Sequence, residues 1–261
     1  MADRPADTAE AAPGQAAHAP LLVAHQRRLR EVWRSAGWPC HDAIELDLLA
    51  AALLSRHWDA DGRETLRVTD AGIQCLAAAR QRNQAAFNAH EALVARVALE
   101  MQRAGRIVWR GLSLRAPLPR DDGGSTWAMA MPDVYSIRHT TREDLVEPIA
   151  HEIKVGRADL LSDLRRQAKA AAYLAVASQC WYVLRAGIAD VDEVPAAYGV
   201  IFAGEHGLDV ARAAPQRALR LPLAIWMALA RAAAERRDAD DAQEMLGDSA
   251  PPSGSRRWPA S

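Results

Sequence analysis

Cysteine is scarce in this sequence, and the few copies form no recognisable site. The 261 residues contain three cysteines, Cys40, Cys75 and Cys180, which are widely spaced and never form a C-x-x-C pair. An odd, scattered set argues against both a disulfide framework and a cysteine zinc site. No H-x-x-x-H spacing occurs either. We therefore expect a reducing, cytoplasmic setting and no zinc.

Long apolar runs are also missing. The most apolar helical stretch near the end, Leu221 to Ala234, is interrupted by Arg231 and is too short to span a bilayer. The first 20 residues lack the basic segment and apolar run of a secretory signal. We expect a protein that is neither exported nor embedded in a membrane. Half of the residues are apolar and a quarter are charged, which is typical of a globular protein of one or two domains.

Lysine is almost absent. Lys154 and Lys169 are the only two lysines, so thirty of the thirty-two basic residues are arginine. An ammonium group can change its protonation state, whereas a guanidinium group effectively cannot. A lysine that is kept in such a chain therefore suggests chemistry that arginine cannot perform.

Composition divides the chain into four segments. Residues 1–20 and 238–261 are rich in alanine, proline and acidic or small polar residues without a period, so we predict disordered tails. Residues 21–87 have a mainly helical pattern. In residues 88–237, helical patterns alternate with β-like runs. We therefore predict a small helical domain followed by a larger α/β domain.

The first domain is predicted to contain two helices, a turn, a short strand and a third helix capped by Thr69. These elements are Leu21–Ser35, Ala43–Ser55, Asp59–Gly62, Thr65–Val68 and Ala71–Gln81. Their order and the phrase LRVTDAGIQCLA resemble a winged-helix domain. The resemblance implies DNA docking, although a helical domain for packing or dimerisation remains an alternative. Three acids on the candidate recognition helix, Asp42, Glu45 and Asp47, have the wrong charge for phosphate contacts.

The second domain is predicted to have an αβββαβ order. The predicted elements are a helix Asn88–Arg103, a strand Ile107–Leu114, a loop Pro117–Ser125, strands Trp127–Ile137 and Val146–Val155, a helix Arg157–Ala177, strands Cys180–Leu184, Gly199–Ala203 and Leu208–Ala211, and a helix Leu221–Arg237. This is the element order of a mixed α/β unit.

The strand VEPIAHEIKV carries the first candidate site residues. Alternation places Glu152 and Lys154 on one face, opposite Ile149, Ile153 and Val155. On a central strand, two such charges would be partly buried, which is costly unless they are paired or bind a metal. A glutamate–lysine pair on a solvated face is the alternative interpretation.

Two further acids are candidates for the same site. Asp133 follows Pro132 on the preceding strand, and an antiparallel pairing would bring it beside Glu152. Two adjacent carboxylates repel each other unless a divalent cation or a shared proton intervenes. Glu91 lies near the inward stripe of its helix, but Asn88 and Glu91 also have capping-box spacing, so both interpretations stay open.

This combination resembles the PD-(D/E)xK, or restriction-endonuclease-like, nuclease superfamily. A helix with Glu91 is followed by Pro132–Asp133, by E-x-K at Glu152–Lys154 on the next strand, and by another helix. The continuation HEIKVGRADLLSDLRRQAKAAAYLAVASQCWYVL is similar to the MmcB-like bacterial DNA-repair nucleases. The chain departs from them in the run AMAMPD, which lacks the usual arginines, and in its additional amino-terminal domain.

The resemblance implies a role for each candidate residue. Asp133, Glu152 and the Ile153 carbonyl would hold Mg²⁺ or Mn²⁺, with Glu91 as a further acid of the metal site. Lys154 would position or help to deprotonate a water molecule and stabilise charge on the phosphorane. Gln167, which lies near the inward stripe of its predicted helix, would orient Lys154 or the scissile phosphate; a helix-capping or core-edge amide is the alternative. Phosphate contacts are expected from three arginines that flank the site, Arg157, Arg165 and Arg166, and a solvated helix face is the alternative.

These expectations define a function and its rivals. We expect a cytoplasmic, nucleoid-associated, metal-dependent deoxyribonuclease in bacterial DNA repair or defence. Residues 21 to 120 contain fifteen arginines against ten acids, which is compatible with a basic surface for DNA. A non-catalytic DNA-binding or regulatory protein with a nuclease-like scaffold is the alternative. An RNA substrate, the mode of cutting and a homodimer all remain open.

Overall fold

The structure is a computed structural model that describes residues 21–119, 123–205 and 207–235, without the side chains of Pro119 and Gln167. It is a mixed α/β structure with two compact units, Met1–Ala85 and Ala86–Ser261. We call them the amino-terminal and carboxy-terminal units. The predicted tails, residues 1–20 and 238–261, lie outside the described residues.

The amino-terminal unit is a small helical body with one β-hairpin. Its elements are α1 (Val23–Arg34), α2 (Ala43–Ala50), β1 (Leu54–Trp58), β2 (Glu64–Val68) and the first part of α3 (Asp70–Arg103). Strands β1 and β2 are antiparallel and are joined by the predicted turn over residues 59–62. The core of the unit is formed by buried leucines and a valine, namely Leu29, Val32, Leu48, Leu54 and Leu66.

The predicted helix over residues 43–55 is too long. Helix α2 ends at Ala50, and Ala52 turns the chain with a positive φ of 55°. The next residues then pair with β2, beginning at Leu54 opposite Val68. The apolar residues at the end of α2 and the start of β1 are compatible with a helix or with a strand. The backbone groups of β1 need hydrogen-bond partners, and β2 supplies them, so this segment is a strand.

Helix α3 is continuous over 34 residues, whereas the sequence predicted two helices. Thr69 caps it as predicted, because its Oγ1 accepts a hydrogen bond from the Gly72 amide at 3.1 Å. Asn88 lies in the middle of the helix, so it does not start one, and of the two interpretations of Glu91 the capping box is wrong. Between Ile73 and Arg103 there is no glycine or proline to end the helix. Within the described residues, no helix is both long and apolar enough to cross a membrane.

The carboxy-terminal unit is built on a six-stranded mixed sheet. The strands of the whole unit are β3 (Arg106–Arg110), β4 (Leu114–Pro119), β5 (Ser125–Ala130), β6 (Val134–Arg138), β7 (Ile149–Lys154), β8 (Gln179–Arg185), β9 (Gly199–Ala203) and β10 (Leu208–Arg212). Its further helices are α4 (Arg157–Leu164), α5 (Gln167–Val176) and α6 (Leu223–Arg231). The sheet order is β10-β9-β8-β7-β6-β3, and β4 and β5 form a separate antiparallel hairpin.

Strand directions change at the centre of the sheet. Strands β3, β6 and β7 are antiparallel neighbours, whereas β7, β8 and β9 run parallel. The parallel step from β7 to β8 requires a crossover, which α4 and α5 supply. The edge strand β10 is antiparallel to β9.

Three long elements predicted for this unit are each divided in two. The strand predicted over residues 107–114 is divided at Gly111, which has a φ of 60°, into β3 and β4. The strand predicted over residues 127–137 is divided at Pro132 and Asp133, because proline cannot donate to a strand ladder. The helix predicted over residues 157–177 breaks at Arg166, whose ψ of 77° is not helical. The last helix ends at Arg231 rather than at residue 237.

The central strand β7 separates two apolar layers. Ile153 packs with Val94 and Val97 of α3, while Ala150 belongs to the layer that contains Ala172 and Val176 of α5. Because side chains alternate along a strand, Glu152 and Lys154 share the face of Ala150. The predicted division of the strand VEPIAHEIKV into two faces is confirmed.

Candidate functional site

Glu152 and Lys154 form a buried ion pair on the α5 side of β7. The Lys154 Nζ lies 2.7 Å from the Glu152 Oε1, and the two side chains are 7 % and 8 % exposed. The alternative of a solvated glutamate–lysine pair is therefore wrong. A buried pair of this kind is kept only when other groups satisfy its remaining charge and hydrogen bonds.

The second lysine contacts the same carboxylate. Lys169 Nζ on α5 lies 2.6 Å from the Glu152 Oε1 and 2.6 Å from the Asp163 Oδ1. The Tyr173 hydroxyl donates a hydrogen bond to the other oxygen of Glu152, Oε2, at 2.8 Å. Both lysines of the chain thus converge on one glutamate, although they are 15 positions apart in the sequence.

Asp163 on α4 is the second buried anion of this cluster. It accepts a hydrogen bond from the Tyr182 hydroxyl at 2.9 Å, and its Oδ2 lies 4.0 Å from Lys154 Nζ. Asp159, one turn earlier on α4, lies 3.3 Å from the same ammonium and is mostly exposed. Burial and the charge of Asp163 raise the pKa of Tyr182 above its usual value. We call Glu152, Lys154, Asp163, Lys169, Tyr173 and Tyr182 the lysine–carboxylate cluster.

The lysine–carboxylate cluster keeps Lys154 protonated. Burial alone would lower the pKa of this lysine, but the nearby carboxylates of Glu152, Asp163 and Asp159 outweigh it and the pKa is raised. An ammonium with a raised pKa stays charged near neutral pH. In this arrangement Lys154 can stabilise a negative charge, but it cannot accept a proton.

Asp133 lies at the break between β5 and β6, beside β7. Its Oδ2 accepts a hydrogen bond from the Ile153 amide at 2.7 Å. Val134 pairs with His151, so the next position along both strands places Asp133 opposite Glu152. Burial raises the pKa of Asp133, and the charge of Glu152 raises it further. The predicted meeting of Asp133 and Glu152 on neighbouring strands is thus reproduced in register and in electrostatics.

Glu91 is connected to Asp133 through a histidine. His90 on α3 places its Nε2 3.4 Å from the Asp133 Oδ2 and its Nδ1 3.2 Å from the Glu91 Oε1. The Glu91 side chain is 50 % exposed, so it lies at the edge of the site rather than on the buried stripe. The sequence gives no signal for His90, because no second histidine stands at a ligand spacing from it.

The residues predicted to contact phosphate or to orient Lys154 have different surroundings. Arg157 forms a two-pronged ion pair with Glu193 at 2.9 and 2.8 Å, so its guanidinium is already engaged within the protein. Arg165 and Arg166 are exposed at the junction of α4 and α5. Gln167 begins α5, but its side chain lies outside the described part of the structure.

Sequence reasoning missed several members of the lysine–carboxylate cluster. Asp163, Lys169, Tyr173 and Tyr182 come from three elements that a pattern in one strand cannot connect. The sequence held one signal for Lys169, because it is the only lysine of the chain besides Lys154. The cluster also borders a cavity of about 30 Å³, which has room for a water molecule.

The donor chemistry of the site partly fits a divalent cation. Asp133 and Glu152 offer the carboxylate oxygens that Mg²⁺ and Mn²⁺ prefer. Both oxygens of Glu152, however, accept hydrogen bonds from the lysines or from Tyr173. In the described parts of the chain, no three His, Cys, Asp or Glu side chains are grouped to hold a metal. The arrangement places ammonium groups where an ion would bind Glu152.

Comparison with known proteins assigns no family to the chain. No protein-family model and no curated protein matches it. A solved structure of a protein of unknown function from Silicibacter pomeroyi matches 56 % of this chain and 80 % of that protein. The sequences are 18 % identical over the match, and the TM-score is 0.35. This similarity assigns neither a fold nor a function.

Proposed function

We propose that this protein is a metal-dependent deoxyribonuclease of the PD-(D/E)xK type. The observation that carries the proposal is the convergence of Asp133, Glu152 and Lys154 from two neighbouring strands, with the Glu152–Lys154 pair buried at 2.7 Å. Among the strands of the six-stranded sheet, the chain order is a helix, the three antiparallel strands β3, β6 and β7, two helices and the parallel strand β8, which also supports a restriction-endonuclease-like core.

The chemistry of phosphodiester hydrolysis suits these groups. Negative charge increases on the phosphoryl oxygens in the transition state, and fixed cations in a water-poor site stabilise such charge. Lys154 supplies a permanent ammonium there, held in place by Glu152. A bound Mg²⁺ or Mn²⁺ would act as a Lewis acid and lower the pKa of a water molecule. Asp133, Glu152 and the Ile153 carbonyl would hold the ion, with Glu91 behind His90.

We also propose that the amino-terminal unit is winged-helix-like. Its order of two helices, a hairpin and a third helix supports this assignment. Arg28 contacts both Asp42 and Glu45, at 2.9 and 2.7 Å, so two of the three acids on α2 are neutralised within the unit. Repulsion between these acids and DNA phosphates is therefore weaker than the sequence suggested. A packing or dimerisation role is the alternative.

A non-catalytic DNA-binding protein is the second candidate for the whole chain. The observation that favours it is the occupation of both oxygens of Glu152 by protein donors. In such a protein the lysine–carboxylate cluster would serve only to stabilise the fold.

One assay separates the two candidates. The purified full chain is incubated with single- and double-stranded DNA in Mg²⁺, Mn²⁺ or EDTA, and Lys154→Arg is compared with wild type. Arginine keeps the positive charge but enlarges the group and changes its donor geometry. We expect cleavage to fall about 10²-fold or more, as for the loss of one preorganised transition-state contact. DNA binding should change little, because phosphate attraction needs only a cation.

An exposed arginine gives the matched control. Arg220→Lys exchanges the same two residue types at a site that is 83 % exposed, and it should leave cleavage unchanged. If Lys154→Arg cuts at the wild-type rate, the catalytic role of Lys154 is refuted. If the wild type binds DNA but cuts none with either metal, the non-catalytic candidate replaces the nuclease.

A further inference from the structure

The β4–β5 hairpin has one buried face and one apolar exposed face. Helices α5 and α6 pack on the hairpin, and the side chains on that side, such as Leu114, Ala116 and Ala130, are fully buried. Trp127 and Met129 on β5, and Met131 directly after it, alternate with the half-buried Ala128 and the buried Ala130 and are 50, 53 and 57 % exposed. We call these three residues the outer stripe. Large apolar side chains exposed at successive positions of one strand face usually mark a binding surface.

A cation lies on the outer stripe. Arg115 pairs with Met129 across the hairpin, and its guanidinium lies 5.2 Å from the centre of the Trp127 ring. It is the only charged residue in the two strands. An arginine stacked on a tryptophan offers a flat aromatic surface beside a positive charge. This combination is complementary to a ligand with flat apolar rings and negative charges, and nucleic acids have both.

The spacing of the outer stripe favours unpaired bases. Successive side chains on one face of an antiparallel strand are about 6.8 Å apart, whereas bases in a duplex strand are about 3.4 Å apart. One base therefore fits between two neighbouring side chains of the stripe, but only after it has separated from the next base. A duplex cannot adopt this spacing without losing its stacking.

The outer stripe also leads directly to the candidate site. Met131 is separated from Asp133 by a single residue, Pro132, which is buried. The end of the outer stripe therefore lies two residues before Asp133 along the chain. None of the residues assigned to the lysine–carboxylate cluster belongs to this hairpin.

We propose that the outer stripe and Arg115 bind an unpaired DNA strand and deliver it to Asp133. The inference deepens the proposed nuclease function, on which its delivery step rests, by naming single-stranded DNA as the substrate class. Trp127 stacks on one base, the methionines pack against the bases that follow, and Arg115 contacts a phosphate.

Binding without cleavage tests this proposal. The full-length protein is titrated, in EDTA, into labelled oligothymidine and into a labelled duplex of equal length, and fluorescence anisotropy reports the affinity. We expect Trp127→Ala to weaken binding of the single strand about tenfold, as for the loss of one stacked base. Trp127→Phe should keep most of the affinity because it keeps an aromatic ring. Duplex binding should change less in both variants.

Two further variants sharpen the test. Met129→Ala should weaken single-strand binding, whereas Met227→Ala, which removes a methionine that is 43 % exposed on α6, should not. Arg115→Gln should lower the slope of log affinity against log salt by about 0.7, the value for one phosphate contact to a single strand. Circular dichroism verifies that each variant is folded.

The outcomes for this surface and for the nuclease can be told apart. Wild-type single-strand affinity in both Trp127→Ala and Met129→Ala overturns the proposal, even if the protein cuts DNA. Loss of self-association on Trp127→Ala, with DNA binding unchanged, also overturns it and makes the stripe a contact between copies. If Trp127→Ala loses single-strand binding while the wild type cuts nothing, the binding surface stands and the nuclease function fails.

Discussion

Glu152 is the carboxylate that both lysines of the chain contact most closely. It is buried, and it accepts hydrogen bonds from Lys154, Lys169 and Tyr173. Removing a charge from the interior leaves its former partners buried without compensation, which costs more than the pair itself contributes. Glu152 is therefore the position at which stability and the proposed chemistry are most closely coupled.

We predict that Glu152→Leu lowers the free energy of unfolding by about 3 to 5 kcal/mol, because Lys154 then lacks its closest counter-charge. Urea unfolding of the full chain measures this. The double variant Glu152→Leu/Lys154→Met should recover part of the loss, since it removes both charges. Glu143→Gln, at a carboxylate that is 53 % exposed, serves as the control and should cost less than about 1 kcal/mol. A double variant no more stable than the single one would contradict the prediction.

At the scale of elements, helix α2 shows how acids that appear exposed in the sequence become structural. Asp42 caps the helix, because its Oδ1 accepts a hydrogen bond from the Glu45 amide at 2.9 Å. Glu45 is itself buried and accepts hydrogen bonds from the amides of Cys40 and His41. Two of the three acids that count against DNA docking, Asp42 and Glu45, therefore stabilise the start of α2.

The pKa of Glu45 makes this role measurable. Burial would raise it, but the hydrogen bonds from the Cys40 and His41 amides and the ion pair with Arg28 outweigh burial and lower the pKa. Because the pKa is lowered in the folded state, ionised Glu45 stabilises the fold at pH values above its ordinary pKa of 4.5. This stability is lost as the pH falls through the folded-state pKa.

We therefore predict a pH-dependent difference between wild type and Glu45→Gln, since glutamine keeps the shape but does not titrate. The wild-type advantage in the free energy of unfolding should be constant from about pH 7 to about pH 5.5 and should shrink below about pH 4.5. Urea unfolding of the two proteins at each pH measures the difference. An advantage that stays constant down to pH 3 would show that the ionised Glu45 does not stabilise the fold.

At the scale of the whole molecule, metal binding should appear as stability. A ligand that binds only the folded state stabilises it by about 2.7 kcal/mol at a concentration of one hundred times its dissociation constant. We predict that Mn²⁺ raises the melting temperature of the full chain and that Asp133→Asn removes most of this rise. Asp144→Asn, at a carboxylate that is 63 % exposed, is the control and should keep the rise. Equal shifts in wild type and Asp133→Asn would exclude Asp133 as a metal ligand.

Local patterns in the sequence were sufficient for the features that depend on neighbouring residues. Alternation alone placed Glu152 and Lys154 on one face of β7. The cap at Thr69 and the bounds of β9 were also correct, because hydrogen bonding at a helix start and β-propensity act over a few residues.

The tertiary structure decided what depends on contacts between distant residues. Lys169 contacts both Glu152 and Asp163, and it lies on α5, beyond the break at Arg166 that divides the predicted long helix. Nothing in the local periodicity requires that break. In the same way, β1 is a strand rather than the end of α2 because β2 offers it a partner. Helical and strand periods are properties of a short segment. Pairing of backbone groups, burial of charge and closure of a site are properties of segments brought together by the fold.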